Sequence, residues 1–308
     1  MSVSKIIVIA GPTASGKSGL ALALAKALNG VVINADSMQV YRDIPILAAA
    51  PSDDDKAIVP HKLYGIYDAS VHGNMMDWLH LCCQEITDAR QNNLTPIVVG
   101  GTGLYLETLQ KGASPIPETP KEIRDKVSFM LKQEGLSGLY AMLQKVDEST
   151  AARLSANDTT RIRRALEVWF DTKKTMSYWQ SQPLRPFYKK EEFVSIYINP
   201  PREALDNRCR VRFDKMVELG AVDEAKQLLA RQLPDYLPAM HALGVQEFKA
   251  YFAGKCSLDE AIEQAKLHTR QYAKRQSTWF NNRFSADFCY KSCYATDKNF
   301  VEDVKKAL

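Results

Sequence analysis

KIIVIAGPTASGKS, residues 5–18 of a 308-residue chain, is an apolar run that ends in Gly11, four further residues, and then Gly16-Lys17-Ser18. The spacing is that of a phosphate-binding P-loop, G-x-x-x-x-G-K-[ST]. The short, mostly β-branched run before it reads as a buried parallel strand. After Lys17 the apolar positions become Leu20, Leu22, Leu24, Ala25 and Leu28, an Ala/Leu-rich helix. Strand, loop and helix thus follow in the order the motif requires. Glycines let the backbone curl so that its N–H groups face inward, and the helix N-terminus adds partial positive charge. Lys17 adds a full charge, and the Ser18 hydroxyl can ligate Mg2+ directly or through water. The loop is therefore expected to bind a polyphosphate.

Outward from this loop, VVINADS (31–37) is a second apolar run and ends at Asp36-Ser37. TPIVVGGTGLY (95–105) is a third and ends in a Gly-Gly-Thr-Gly turn. Between them, Met76, Leu79, Cys83 and Ile86 recur at helical spacing. FVSIYINP (193–200) reads as a fourth strand stopped by Pro200-Pro201, and the segment near Phe288 and Cys289 as a fifth. Alternating strands and helices predict an α/β fold, a P-loop NTPase-like parallel sheet flanked by helices, with ligands at the C-terminal strand ends. The P-loop, Asp36 and Thr102 would then share one crevice. Residues 115–192 differ: prolines mark both ends, and KEIRDKVSFMLKQEG and DTTRIRRALEVWFDTKK are helical patterns. They read as an all-helical insertion domain within a core of residues 1–114 and 193–308, the alternative being a continuous helical layer on the core. After Pro200 the chain reads as helical, with Pro201 as a first-turn proline, Gly220 as a stop, and SLDE (257–260) as a capping box for a helix running through Trp279. PSDDDK (51–56) reads as a solvated acidic turn.

The net charge of +4 is mild, so its distribution matters more than its total. No apolar stretch reaches the roughly 18 residues of a membrane span, and the N-terminus has no secretory pattern. The six cysteines form no C-x-x-C pair and read as reduced thiols. A cytoplasmic protein without a membrane or an obligate protein partner is expected, and the lack of heptads favours a monomer.

Asp36, at a strand end facing the P-loop, can serve as a general base or help fix Mg2+; it can equally be a helix N-cap. The third strand ends in Gly-Gly-Thr, where many P-loop ATPases place a metal-holding Asp, so ordinary ATP hydrolysis is not expected. Arginines recur at helical spacing: Arg161 with Arg164, Arg208 with Arg212, and Arg270 near Lys274 and Arg275. Such faces can be solvated, can clamp a diphosphate, or can follow a nucleic-acid backbone.

With GPTASGKS (11–18), NADSMQVYRDI (34–44), VGGTGLY (99–105), NDTTRIRRALEVW (157–169) and RQYAKRQSTWF (270–280) in order, the chain resembles the bacterial tRNA dimethylallyltransferases. VPHKLYG (59–65) and HALGVQEF (241–248) extend the likeness. The resemblance implies transfer of a dimethylallyl group from dimethylallyl diphosphate to N6 of the adenine at tRNA position 37, beside the anticodon. Asp36 would be the general base and Thr102 would hydrogen-bond near the reacting centre. Gly11, Thr13, Ala14, Ser15, Gly16, Lys17 and Ser18, with Mg2+ at Ser18, would hold the diphosphate. Arg208 would join them, with Arg212 one turn away as the alternative. The adenine must leave its stack; Asp36, Ser37, Met38, Gln39 and Thr102 would meet it. Arg124, Thr160, Arg161, Ile162, Arg163 and Arg164 would grip the anticodon stem-loop. Tyr41 and Tyr105 are either stacking platforms or core residues. Family members usually carry Thr-Ala-Lys-Pro or Thr-Ala-Arg-Pro where this chain has Ala48-Ala49-Ala50-Pro51, so a hydroxyl and a cation are missing there. Three rival readings remain: an ATP-dependent kinase with Asp36 as base, a prenyltransferase acting on free AMP or ADP, and an RNA-binding P-loop protein without turnover.

Overall fold

The computed structural model describes residues 4–294, 299–306 and 308. β1 (Ile6–Ala10) is buried at every position, as an unbroken apolar run requires of a central parallel strand. α1 (Lys17–Ala27) follows and buries Leu20, Ala21, Leu24 and Ala25. β2 (Gly30–Asn34), α2 (Asp53–Ile58), β3 (His61–Lys62), α3 (Met75–Gln91), β4 (Thr95–Gly100) and α4 (Gly103–Lys111) complete the first half. α5 (Lys121–Val146), α6 (Glu148–Ala151), α7 (Thr159–Thr172) and α8 (Met176–Ser181) come next without a strand between them. β5 (Phe193–Ile198), α9 (Arg202–Glu218), α10 (Ala221–Ala230), α11 (Val245–Phe252), α12 (Leu258–Arg283), β6 (Phe288–Tyr290) and α13 (Phe300–Lys305) end the chain.

The six strands form one parallel sheet in the order β3-β2-β4-β1-β5-β6. Ile7 on β1 lies between Ile97 of β4 and Val194 of β5. The connection from β1 to β2 passes to one side and the later entry into β5 to the other, so the winding reverses around β1. That reversal opens a crevice at the C-terminal strand ends. Alternate side chains feed two apolar layers. Ile6, Val8, Ile33 and Val98 pack with Trp78, Leu79, Phe213, Phe248 and Phe280. Ile7, Ile9, Ile97 and Ile196 pack with Leu20, Leu24, Phe300 and Val304. No helix among the described residues is long and apolar enough to cross a membrane.

The chain divides into two compact units, one of Met1–Gln110 with Phe187–Leu308 and one of Lys111–Pro186. The second is all-helical and has its own core of Val127, Leu139, Leu143, Ile162, Leu166 and Val168. Gly135, at φ 68 and ψ 177, interrupts the helical path of α5. At the neck of this unit Gly112 has φ +87, and a Cβ there would lie 2.4 Å from the Arg185 carbonyl carbon. Only glycine fits that approach; it lets Ala113 and Arg185 pair as an antiparallel bridge.

Two local expectations need correction. The acidic stretch is a helix, α2, because Ser52 accepts from the Asp55 N–H and the Asp55 carboxylate reaches back to the Ser52 N–H, a reciprocal cap. Pro201 is the N-cap of α9 rather than its first helical residue, since ψ 145 is extended. Gly220 does end α9, with φ 102, and Ser257 with Glu260 forms the capping box of α12.

Candidate active site

Three backbone segments meet at the C-terminal edge of β1, β2 and β4: the P-loop, the turn that begins at Asp36, and the Gly101–Thr102–Gly103 turn. In the P-loop the Ser15 N–H donates to the Pro12 carbonyl at 3.2 Å. Lys17 is buried, and its Nζ donates to the same carbonyl at 3.3 Å. Burial pulls the Lys17 pKa down to about 8; the Asp36 carboxylate opposes that shift and Arg212 adds to it. Ser15 Oγ is buried with no partner among the described residues, whereas Ser18 is exposed at the helix start. Arg208 and Arg212 are one helical turn apart in the sequence and are alternatives there. Both turn to the loop from successive turns of α9: Arg208 Nε donates to the Ala14 carbonyl at 2.8 Å, and the Arg212 guanidinium to Thr13 Oγ1. Burial lowers the Arg212 pKa, yet a guanidinium stays charged.

No helix starts at Asp36, so the N-cap alternative falls away. Its N–H donates to Asn34 Oδ1 at 2.8 Å, and its Oδ1 accepts from the Met38 N–H at 3.0 Å, which closes a tight turn around the carboxylate. Thr102 Oγ1 accepts from the Ser37 N–H at 2.9 Å and donates to Ser37 Oγ at 3.2 Å, so it holds that turn in place. Gln39 Nε2 donates to the carbonyls of Ala48 and Ala49 at 3.0 and 2.8 Å. The alanine stretch thus serves this contact through its backbone. Met38 packs against the core. Tyr41 and Tyr105 are core residues: both are buried, and Tyr105 stacks on Trp78 with centroids 4.3 Å apart.

The close packing of these segments explains the glycines. A Cβ on Gly100 would sit 2.0 Å from the Ala35 carbonyl oxygen, and one on Gly101 only 2.4 Å from Gln276 Nε2. Gln276, on α12, is the residue that sequence reading missed. Its Oε1 accepts from the Thr13 N–H and its Nε2 donates to the Gly101 carbonyl, both at 2.8 Å. It lies inside RQYAKRQ, where cations dominate the local pattern and no local signal announces a tie between distant loops. Along α12, Gln271, Lys274, Arg275, Thr278, Trp279, Asn282 and Arg283 line an open trough of about 540 Å3.

A family model described as IPP transferase matches residues 39–283, and one described as isopentenyl transferase matches residues 4–68. The chain belongs to the IPP transferase family. It is 45% identical over 278 residues to the tRNA dimethylallyltransferase of Zymomonas mobilis, covering 90% of this chain and 88% of that one. Among solved structures it is similar to the tRNA isopentenylpyrophosphate transferase of Bacillus halodurans, with 32% identity, TM-score 0.69, and 99% and 95% of the two chains covered. It is also similar to a eukaryotic dimethylallyltransferase acting on tRNA, with 30% identity and TM-score 0.83 over 98% of this chain and 77% of that one.

In this IPP transferase family member the remaining candidate residues lie in the helical unit. Thr160 and Arg161 open α7 and are exposed, and Arg161 pairs with Asp158 at 2.6 Å. Arg124 is exposed on α5 without a side-chain partner among the described residues. Arg163 is turned to Ser128 at 2.8 Å and toward Glu167, while Arg164 donates to Thr119. Ile162 is 0% exposed, with its side chain in the helical core. The helical period explains this: Ile162 and Leu166 occupy the buried face between the arginines.

Proposed function

We propose that the chain transfers the dimethylallyl group of dimethylallyl diphosphate to N6 of adenine 37 in tRNA, with release of diphosphate. The observation that carries this reading is a half-buried carboxylate, Asp36, set beside a Lys- and Arg-lined phosphate loop, in a chain whose relatives over nine-tenths of its length are named tRNA dimethylallyltransferases. The C1–O bond to diphosphate breaks as the C1–N6 bond forms, and the N6 proton passes to Asp36. An exocyclic amine is a poor nucleophile, so a base fixed next to it lowers the barrier. The Asn34 and Met38 contacts fix that carboxylate, and Thr102 fixes the turn that carries it. Lys17, Arg208, Arg212 and the N–H groups at the start of α1 take up the charge of the departing diphosphate.

A divalent ion fits the residues present. The exposed Ser18 hydroxyl offers one hard oxygen, and the described residues hold no group of three or more His, Cys, Asp or Glu that would cage a metal. That donor set suits Mg2+ held mainly by substrate oxygens and water, with Ser18 as its protein ligand. Bound there, the ion would neutralise diphosphate charge.

Residues 115–192 act as the insertion domain that grips the anticodon stem-loop, through Arg124, Thr160 and Arg161 with support from Arg163 and Arg164. The trough on α12, with Lys274, Arg275 and Trp279, supplies further cationic and stacking surface. The reaction belongs in the cytoplasm, where its tRNA substrate resides.

The test is a single-turnover assay with Mg2+ and labelled dimethylallyl diphosphate. One acceptor is an anticodon stem-loop with three consecutive adenines and the other is free AMP. Label in the RNA alone is expected. Label in AMP alone would move the reading to a prenylated nucleotide product, and ATP consumption without label in either would make the loop a kinase site.

A further inference from the structure

Gln276 is 6% exposed, and both ends of its amide are spent on backbone groups of different loops. Its Oε1 holds the Thr13 N–H, so that donor points away from the phosphate cradle. Its Nε2 holds the Gly101 carbonyl. Gly101 precedes Thr102, whose hydroxyl is bonded to Ser37, the residue after Asp36. A Cβ on Gly101 would also lie 3.5 Å from Asp36 Oδ2. One amide therefore spans from the loop that takes the leaving group to the turn that carries the base. A buried amide end left unpaired is unfavourable, so the two loops hold a fixed spacing as long as the amide is whole.

We propose that Gln276 is a positioning residue for prenyl transfer: it sets the distance between the diphosphate cradle and Asp36. This inference rests on the functional reading above. A reacting pair displaced by about 1 Å loses on the order of 100-fold in rate. Only an amide serves both loops, because the tie needs an acceptor for the Thr13 N–H and a donor for the Gly101 carbonyl. A carboxylate supplies the first alone and a methylene chain supplies neither.

Four variants test it: Gln276→Leu, Gln276→Glu, Gln276→Ala, and Gly101→Ala, whose new Cβ would press on Nε2. With folding checked by thermal unfolding, Gln276→Leu should lose about 30- to 100-fold in kcat at saturating substrates, and tRNA affinity should stay within about twofold. Gln276→Glu should retain cradle order but not base spacing, giving a near-normal KM for dimethylallyl diphosphate with a reduced kcat. Gly101→Ala should resemble Gln276→Leu. Adding Gly101→Ala to Gln276→Ala should cost nothing further, because the atom it strikes has gone. Full additivity in that pair, or a folded Gln276→Leu enzyme within threefold of the parent kcat, overturns the assignment. If the parent chain itself transfers no prenyl group, the functional reading fails. The tie is then judged by Mg2+-diphosphate binding, where a Kd for Gln276→Leu within threefold of the parent overturns it and any greater weakening keeps it.

Discussion

Lys17 carries its charge in a place that works against it. Burial lowers its pKa from 10.5 to about 8, so between those values the unfolded chain binds more protons than the folded one. Stability should therefore rise with pH across that window, the reverse of a lysine that gains a partner on folding. A bound diphosphate favours the ammonium, so its affinity should fall as pH passes 8. KM for dimethylallyl diphosphate is expected to climb by up to about tenfold per pH unit there, and Lys17→Met should abolish the climb. A parent KM that is flat from pH 7 to pH 9.5 would remove this ammonium from diphosphate binding. Asp36→Ala should lower kcat by about 100- to 10,000-fold, with tRNA affinity near that of the parent. A mutant as active as the parent would leave the base unidentified. Lys17 is legible from the motif alone, whereas the strand end leaves Asp36 open between a base, a metal holder and an N-cap, and only the family resemblance favours the base. Of the partners that fix this region, Asn34 is a near neighbour of Asp36 in the chain, but Thr102 and Gln276 reach their loops across 65 and 263 residues of sequence.

Among the elements, α12 shows both what the sequence reveals and what it hides. Ser257 and Glu260 could be read as its cap, and the structure has Ser257 Oγ accepting the Glu260 N–H at 3.2 Å. Ser257→Ala should destabilise the fold by about 1 kcal/mol, read as a lower urea midpoint at unchanged slope. A shift no larger than that of a neutral surface control would dismiss the cap. Helix length, cap and cationic face are periodic, local facts. That one polar residue of the buried stripe bonds two loops is not local. β3 escaped the sequence reading for a related reason, since a two-residue edge strand has no alternation to recognise. α2 was hidden by its charges: three successive aspartates look like solvated loop, yet in the first turn of a helix they face its positive end.

Over the whole molecule the charge is unevenly shared. Residues 111–186 hold 13 Lys and Arg against 9 Asp and Glu, and the rest of the chain holds 27 against 27, so the net +4 resides in the helical unit. A polyanion would be drawn to that unit even though the protein as a whole is nearly neutral. Arg124→Ala with Arg161→Ala, both exposed, should weaken tRNA binding and reduce the slope of log K against log salt by about 0.7 for each single-strand phosphate that is no longer neutralised. An unchanged slope would show that these arginines do not neutralise phosphate. Proline at 115, 117 and 120 drew the expected start of the unit to 115, but compaction begins at Lys111, because the prolines lie in a stretch already inside it.

The bridge between Ala113 and Arg185 carries a further consequence. Two chain segments paired this way stand only about 5 Å apart, a gap that a two-residue turn closes. The helical unit is thus a cassette hung from a single doorway. It could be excised, lengthened or exchanged in descent without rethreading any strand of the sheet. The part proposed to recognise RNA is then free to diverge at its own pace, while the loops around Asp36 and Lys17 stay bound to one another's geometry.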